Sequence, residues 1–247
     1  MGPHHSRTSQ LLALALALCV PVCPCSPQTW RDRTADVRRV AQSTVLTKAQ
    51  KLDWAVSELL RELQTPTGGE PGKADLASGL AFTEHVQAAY LDLAGRVGTP
   101  DAVWAKVVAL DGEDATEAEK TLQKLLLMVY ADCASRTKDP EQMEGARARA
   151  APRLVALVAH DPYDLVRAYC ARALRLLQAR QEGAEALIAA LQDPAFRDIE
   201  GLSDIWAPGI TSRMFLVRRE AGLALAAMGY QTRHVDWETW ELIPGAE

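Results

Sequence analysis

The stretch Ala151-Pro-Arg-Leu-Val-Ala-Leu-Val-Ala-His-Asp161-Pro162 returns downstream as Ala184-Glu-Ala-Leu-Ile-Ala-Ala-Leu-Gln-Asp193-Pro194, an Ala/Leu/Val segment that ends in Asp-Pro both times. Behind these, Val166-Arg167-Ala-Tyr-Cys170-Ala-Arg-Ala173-Leu174 matches Val217-Arg218-Arg-Glu-Ala221-Gly-Leu-Ala224-Leu225 in register. Each unit reads as a helix, an Asp-Pro turn and a second helix opening with Val-Arg. Asp is expected to cap the second helix, and Pro to fit its first turn without needing a donor. The small residues Cys170, Ala173, Ala221 and Ala224 would let neighbouring helices approach closely. A repeat unit buries its apolar face only against its neighbours, so two copies commit the preceding helices to completing a stack.

This pattern resembles the HEAT repeat family, specifically the short bacterial repeats whose second helix begins with Val-Arg and continues with small residues and Leu. The resemblance covers residues 148–229, and upstream the rhythm of helix pairs continues, with 101–134 as a degenerate repeat. It implies an all-α fold, an α-solenoid of stacked helix pairs, and a way of binding proteins rather than any one partner. It also implies that Arg167 and Arg218 are structural, paired with the turn acids Asp161, Asp164 or Asp193. A guanidinium fork on a carboxylate needs no ligand to account for it.

The second copy departs from the first by 19 extra residues, 195–213, between its helices. This insertion holds Phe196, Ile199, Leu202, Ile205, Trp206 and Ile210 among charged residues, and it is long for a plain connector. Insertions in repeat proteins emerge on one face, often the binding face. Two readings stand: the insertion folds back to cap the stack, or Phe196, Ile205, Trp206 and Ile210 contact a partner. The tail His234-Val-Asp-Trp-Glu-Thr-Trp240 is the other aromatic concentration, with Trp237 and Trp240 either capping the last repeat or docking a partner.

Helix signals agree with the all-α reading along most of the chain. Thr47-Lys-Ala-Gln50 and Thr116-Glu-Ala-Glu119 are capping boxes, each followed by apolar residues at one-face helical spacing. Thr99-Pro100 is a cap followed by a first-turn proline, and a further amphipathic run from Asp75 closes at Gly98. Residues 65–72 hold prolines and glycines that break the helix, and no alternating strand pattern or strand-flanked Asp-Gly turn is found.

The N-terminus reads as an address. A polar start with Arg7, the apolar run Leu11 to Val20 and the small and proline residues that follow have the build of a secretory signal, too short to span a bilayer. The expected organisation is a signal at 1–25, an N-terminal helical region of diverged repeats or cap at 26–134, repeats at 135–230 and a C-terminal tail at 231–247. No Cys in the signal is preceded by the residues a lipoprotein signal requires, so a lipid anchor is the second choice. Cys133 and Cys170 remain in the mature chain and read as small core side chains rather than a disulfide framework.

Composition narrows the function classes. Lys plus Arg number 27 against 32 Asp plus Glu, and the net charge of −5 opposes a general nucleic-acid binder and a polybasic membrane-surface protein. The absence of Asn and the preference for Arg over Lys fit a GC-rich bacterial genome. Residues 101–145 carry ten acids and five bases, a patch that favours a basic partner.

Searches for chemistry fail on spacing. Gly68 to Lys73 has Thr at 67 and Ala at 74 where a phosphate loop needs Gly and Ser or Thr, and no strand leads into it. The acids at 111–119 lack the calcium-loop residues at 115 and 116, and read as helix N-terminal acids. His85, His160 and His234 form no metal-protease pair, and His234 with Asp236 is too few ligands for zinc. No acyl-transfer elbow is present. The expectation is an exported protein, periplasmic or extracellular, acting as a non-enzymatic protein-interaction module or scaffold with no metal or cofactor, no nucleic-acid partner and no transmembrane span in the mature chain. The alternative is a helical small-ligand-binding protein or a lyase-like enzyme of the same class.

Overall fold

A computed structural model describes residues 30–64, 88–199, 212–234 and 240–243; side chains are described in these stretches except at 30–33, 197–199, 212–214, 234 and 240. The expected signal, the glycine-rich break at 65–72, the start of the helix at Asp75 and His85 lie outside them. Among the described residues the chain is almost wholly helical, with nine helices: α1 (Trp30–Gln42), α2 (Lys48–Gln64), α3 (88–97), α4 (Pro100–Ala109), α5 (Glu117–Ser135), α6 (Pro140–His160), α7 (Asp164–Leu176), α8 (Arg180–Ala190) and α9 (Leu216–Ala227). No described helix is long and apolar enough to cross a membrane.

Three helix starts follow their sequence signals. The Thr47 hydroxyl accepts from the Gln50 backbone N–H while the Gln50 side-chain oxygen accepts from that of Thr47, the reciprocal pair that satisfies two orphan donors. Thr116 and Glu119 do the same at α5, and Thr99 accepts from the Ala102 N–H ahead of Pro100 at α4. At Gly98 an added Cβ would sit 2.7 Å from the Ala94 carbonyl oxygen and from Val103 Cγ2, so α3 and α4 meet there as closely as a bare backbone allows.

Two expectations are corrected at α6 and α7. The first helix of the earlier repeat runs from Pro140, not from Ala151, with Asp139 as its cap and Pro152 inside it. Pro152 is exposed, so water can serve the carbonyl its ring leaves without a donor. Asp161 does not cap α7. That helix is preceded by Tyr163 with no side-chain cap, and the Asp161 carboxylate instead accepts from the Tyr163 N–H within the turn.

The two stretches matched in sequence end alike in backbone. After α7 the Gln178 N–H bonds to the Arg175 carbonyl and the Ala179 N–H to that of Leu174; after α9 Gly229 bonds to Ala226 and Tyr230 to Leu225. Both endings are Schellman caps, with Gln178 at φ 51° and Gly229 at φ 88° in matching positions.

Packing follows alternation along the chain. Helix pairs α4–α5, α6–α7 and α8–α9 are in contact; α5 packs on α7 and α7 on α9, while α6 packs on α8. Ion pairs continue the second series upstream: Lys106 on α4 reaches Asp53 on α2 at 2.6 Å, and Arg149 on α6 reaches Asp101 on α4 at 3.4 Å. The α7–α9 contact is made by small side chains, with Ala168, Cys170, Ala221 and Ala224 all fully buried. One apolar cluster runs from Val37 to Met228, and contains the edge-to-face pair Trp54–Tyr90 and the tilted pair Trp104–Tyr130. Burying side chains of this size supplies about 1.5–3 kcal/mol each and is the main force holding the helices together.

Short strands also occur where none was expected. β1 (Arg197–Ile199) pairs antiparallel with β2 (Ser212–Met214), and β3 (Thr232–His234) with β4 (Trp240–Leu242). Three-residue strands are too short to show a period of two in sequence. The β1–β2 ribbon is the stem of the 195–213 insertion, while the β3–β4 ribbon folds the tail back on α9, where Leu242 and Tyr230 join the apolar cluster and the Thr232 hydroxyl meets the Gly222 carbonyl oxygen at 3.5 Å.

Candidate functional site

Asp161, Arg167, Asp193 and Arg218 converge on two successive turns. At the first, the Asp161 side chain, 1% exposed, takes Lys124 Nζ from α5 at 2.6 Å on one oxygen and the Tyr163 N–H at 2.9 Å on the other. Its backbone carbonyl accepts from Arg167 Nη1 at 2.7 Å. At the second, the Asp193 carboxylate takes Arg167 Nε at 2.7 Å and Nη2 at 3.0 Å, plus the Ala195 N–H at 2.9 Å, and its carbonyl accepts from Arg218 Nε at 2.7 Å. The two turns use one scheme: a cation from the preceding unit on the carboxylate, the Val-Arg arginine of the same unit on the carbonyl.

Charge and burial hold this arrangement closed. Arg167 and Asp193 side chains are 13% and 10% exposed, and the Asp193 hydrogen bond pushes the Arg167 pKa further up. Removing one partner of so buried a pair leaves the other unsatisfied, at a cost of about 3–5 kcal/mol. The polar atoms of the two turns are bonded to one another and to neighbouring backbone.

The aromatic candidates fall mostly elsewhere. Phe196 is 44% exposed, with its ring 5.7 Å from that of Phe215, over which the Arg218 guanidinium lies at 4.1 Å. Trp240 lies in β4 opposite His234, with both side chains outside the described residues. Ile205, Trp206, Ile210 and Trp237 are outside the described residues altogether.

Of the acids at 111–119, Asp111, Glu117 and Glu119 are engaged as helix and ion-pair groups. Glu119 is held below its usual range first by the Thr116 hydroxyl and then by the Thr116 N–H, Glu117 by Lys120, and Asp111 by Arg153, whose Nη2 sits at 2.6 Å. His160 is the exposed last residue of α6. Among the described residues no group of three or more His, Cys, Asp or Glu side chains is placed to hold a metal. Cys133 and Cys170 are buried free thiols, both with pKa raised by desolvation.

A feature the sequence reading passed over is a groove of about 280 Å³ across α3, α5 and α7. Leu91, Met128, Val129 and Leu176 supply apolar lining, with Tyr169 and Arg172 from α7 and Asp92 and Asp132 at its margins. Asp92 is paired with Arg96 and Asp132 with Arg136, whereas no ion pair joins Arg172 to any described residue. Tyr169 is 37% exposed. The signal for it lay in the repeat itself: positions 166, 167, 173 and 174 match 217, 218, 224 and 225, but Tyr169 and Arg172 stand against Glu220 and Leu223. Buried positions are constrained by packing, whereas Tyr169 and Arg172 are exposed.

Comparisons of the chain with family models, with curated proteins and with solved structures found no match.

Proposed function

We propose that this chain is an exported α-solenoid of the HEAT type, bacterial in origin, that works as a protein-interaction module or scaffold in the periplasm or outside the cell. Support for the solenoid comes from the alternating packing of helix pairs, the paired Schellman endings and the common bonding scheme at the Asp161 and Asp193 turns. Support for export comes from the build of residues 1–25.

The observation that carries the binding function is the groove across α3, α5 and α7. It presents a half-open tyrosine and an arginine without an ion-pair partner beside apolar lining. Tyr and Arg are the side chains that most often dominate protein interfaces, because each offers large contact area with a directional polar end. Both side chains are exposed. Trp206 of the insertion remains the second contact in this proposal.

The test is capture from envelope extract with the protein as recovered from an exporting host, its N-terminus fixed by intact mass. Tyr169→Ala with Arg172→Glu, and separately Trp206→Ala, are run beside the wild type. The proposal expects a protein captured by the wild type, lost from the folded groove variant and reduced with Trp206→Ala. Equal capture by all three, or a mass retaining residues 1–25, would contradict the binding or the export claim respectively.

A further inference from the structure

Positive charge gathers at one end of a chain whose net charge is −5. The sequence of α1, WRDRTADVRRVAQ, holds four Arg against two Asp. At 100° per residue, Ala35, Arg38 and Gln42 fall on one stripe with Arg39 beside it, while the core residues Val37 and Val40 fall on the opposite side. Arg39 pairs with Asp36, and no ion pair joins Arg38 to any described residue. Ala35 and Arg38 are both exposed.

The stripe opens into a shallow groove lined by Ala35, Arg38, Arg39, Gln42 and the turn at 43–45. At its end Val45 is 76% exposed, the most exposed large apolar side chain among the described residues. Basic forks with an apolar tip are the pair of features a peripheral membrane contact uses: guanidinium takes phosphate oxygens, and the apolar side chain enters the headgroup boundary.

We propose that the outward face of α1 and the turn at 43–45 rest on an anionic bilayer surface, with Arg38 on lipid phosphate and Val45 at the headgroup boundary. This surface shares no lining residue with the α3–α5–α7 groove. It does not depend on the groove reading, and the two fail in different assays.

The test is co-sedimentation of the protein recovered from an exporting host with vesicles of phosphatidylcholine alone and with phosphatidylglycerol added, at low and at physiological ionic strength. The wild type is expected to partition about tenfold more strongly onto the anionic vesicles, with the excess shrinking as salt rises. Arg38→Glu removes that excess and Val45→Ser weakens it, while thermal unfolding is unchanged because both side chains are exposed. If the reversal disturbs α1, Arg38→Gln makes the same comparison without adding an acid. Equal partitioning on both vesicles, or an undiminished excess in a folded Arg38 variant, would overturn the proposal.

Discussion

Gln178 sits at φ 51°, a left-handed conformation that costs a residue with a Cβ about 1–2 kcal/mol, whereas the matching position after α9 is Gly229. Its side chain is exposed, so nothing in the packing asks for glutamine. Gln178→Gly should therefore stabilise the protein by about 0.5–1 kcal/mol after the added flexibility of the unfolded chain is subtracted, read as a rise in denaturant midpoint. A lowered midpoint would mean that the Gln178 side chain matters in a way the backbone does not show. The thiols give a second prediction at this scale. Cys133 and Cys170 are 4% and 0% exposed and their pKa values are raised, so the native protein at neutral pH should resist a thiol reagent that labels both once it is unfolded. Labelling at the native rate of an exposed thiol would contradict this. Of the residue-level readings, the capping boxes were legible because both partners lie three positions apart. The role of Asp161 was not, since its decisive contact is Lys124, 37 positions upstream, and only the folded chain brings them together.

The helices were readable from caps and spacing, and the ends of elements were less so. Residues 140–150 belong to α6 even though the repeat pattern begins at Ala151, and they pack as well: Ala146 and Ala150 are buried and Met143 lies against the apolar cluster. The insertion at 195–213 was read as a loop, and its ends instead pair as β1–β2, with Ile199 opposite Ser212. Replacing residues 200–211 by a two-residue Asn-Gly turn should keep the helical signal and leave the unfolding temperature unchanged or raised, since shortening a closed loop lowers its entropy cost by roughly 0.6 kcal/mol per halving. A sharp fall in unfolding temperature would show that the insertion caps the stack and would remove Trp206 from the proposed contacts. For the tail, Leu242 in the apolar cluster beside α9 supports the capping side of the reading for residues around β4.

In the whole molecule the question is whether the helix pairs behave as a stack or as one globule. The fold class was legible because helical spacing and caps recur along most of the chain. The groove was hidden because its lining comes from three helices whose neighbours depend on how the units pack, and spacing along one helix does not report the next. In a stack each unit is stabilised by its neighbours, so damage at one turn should stay local. Asp193 is the site for that test: its carboxylate ties α7 to the turn between α8 and α9 through Arg167, and it is far from α4 in the packing order. The decisive measurement is native-state hydrogen exchange on wild type and Asp193→Ala, read helix by helix. The account predicts protection lost by a factor of about 100 in α8 and α9, corresponding to roughly 3 kcal/mol, with α4 and α5 exchanging as in the wild type. Protection falling equally in every helix would show a single cooperative globule and contradict the stacked-repeat account.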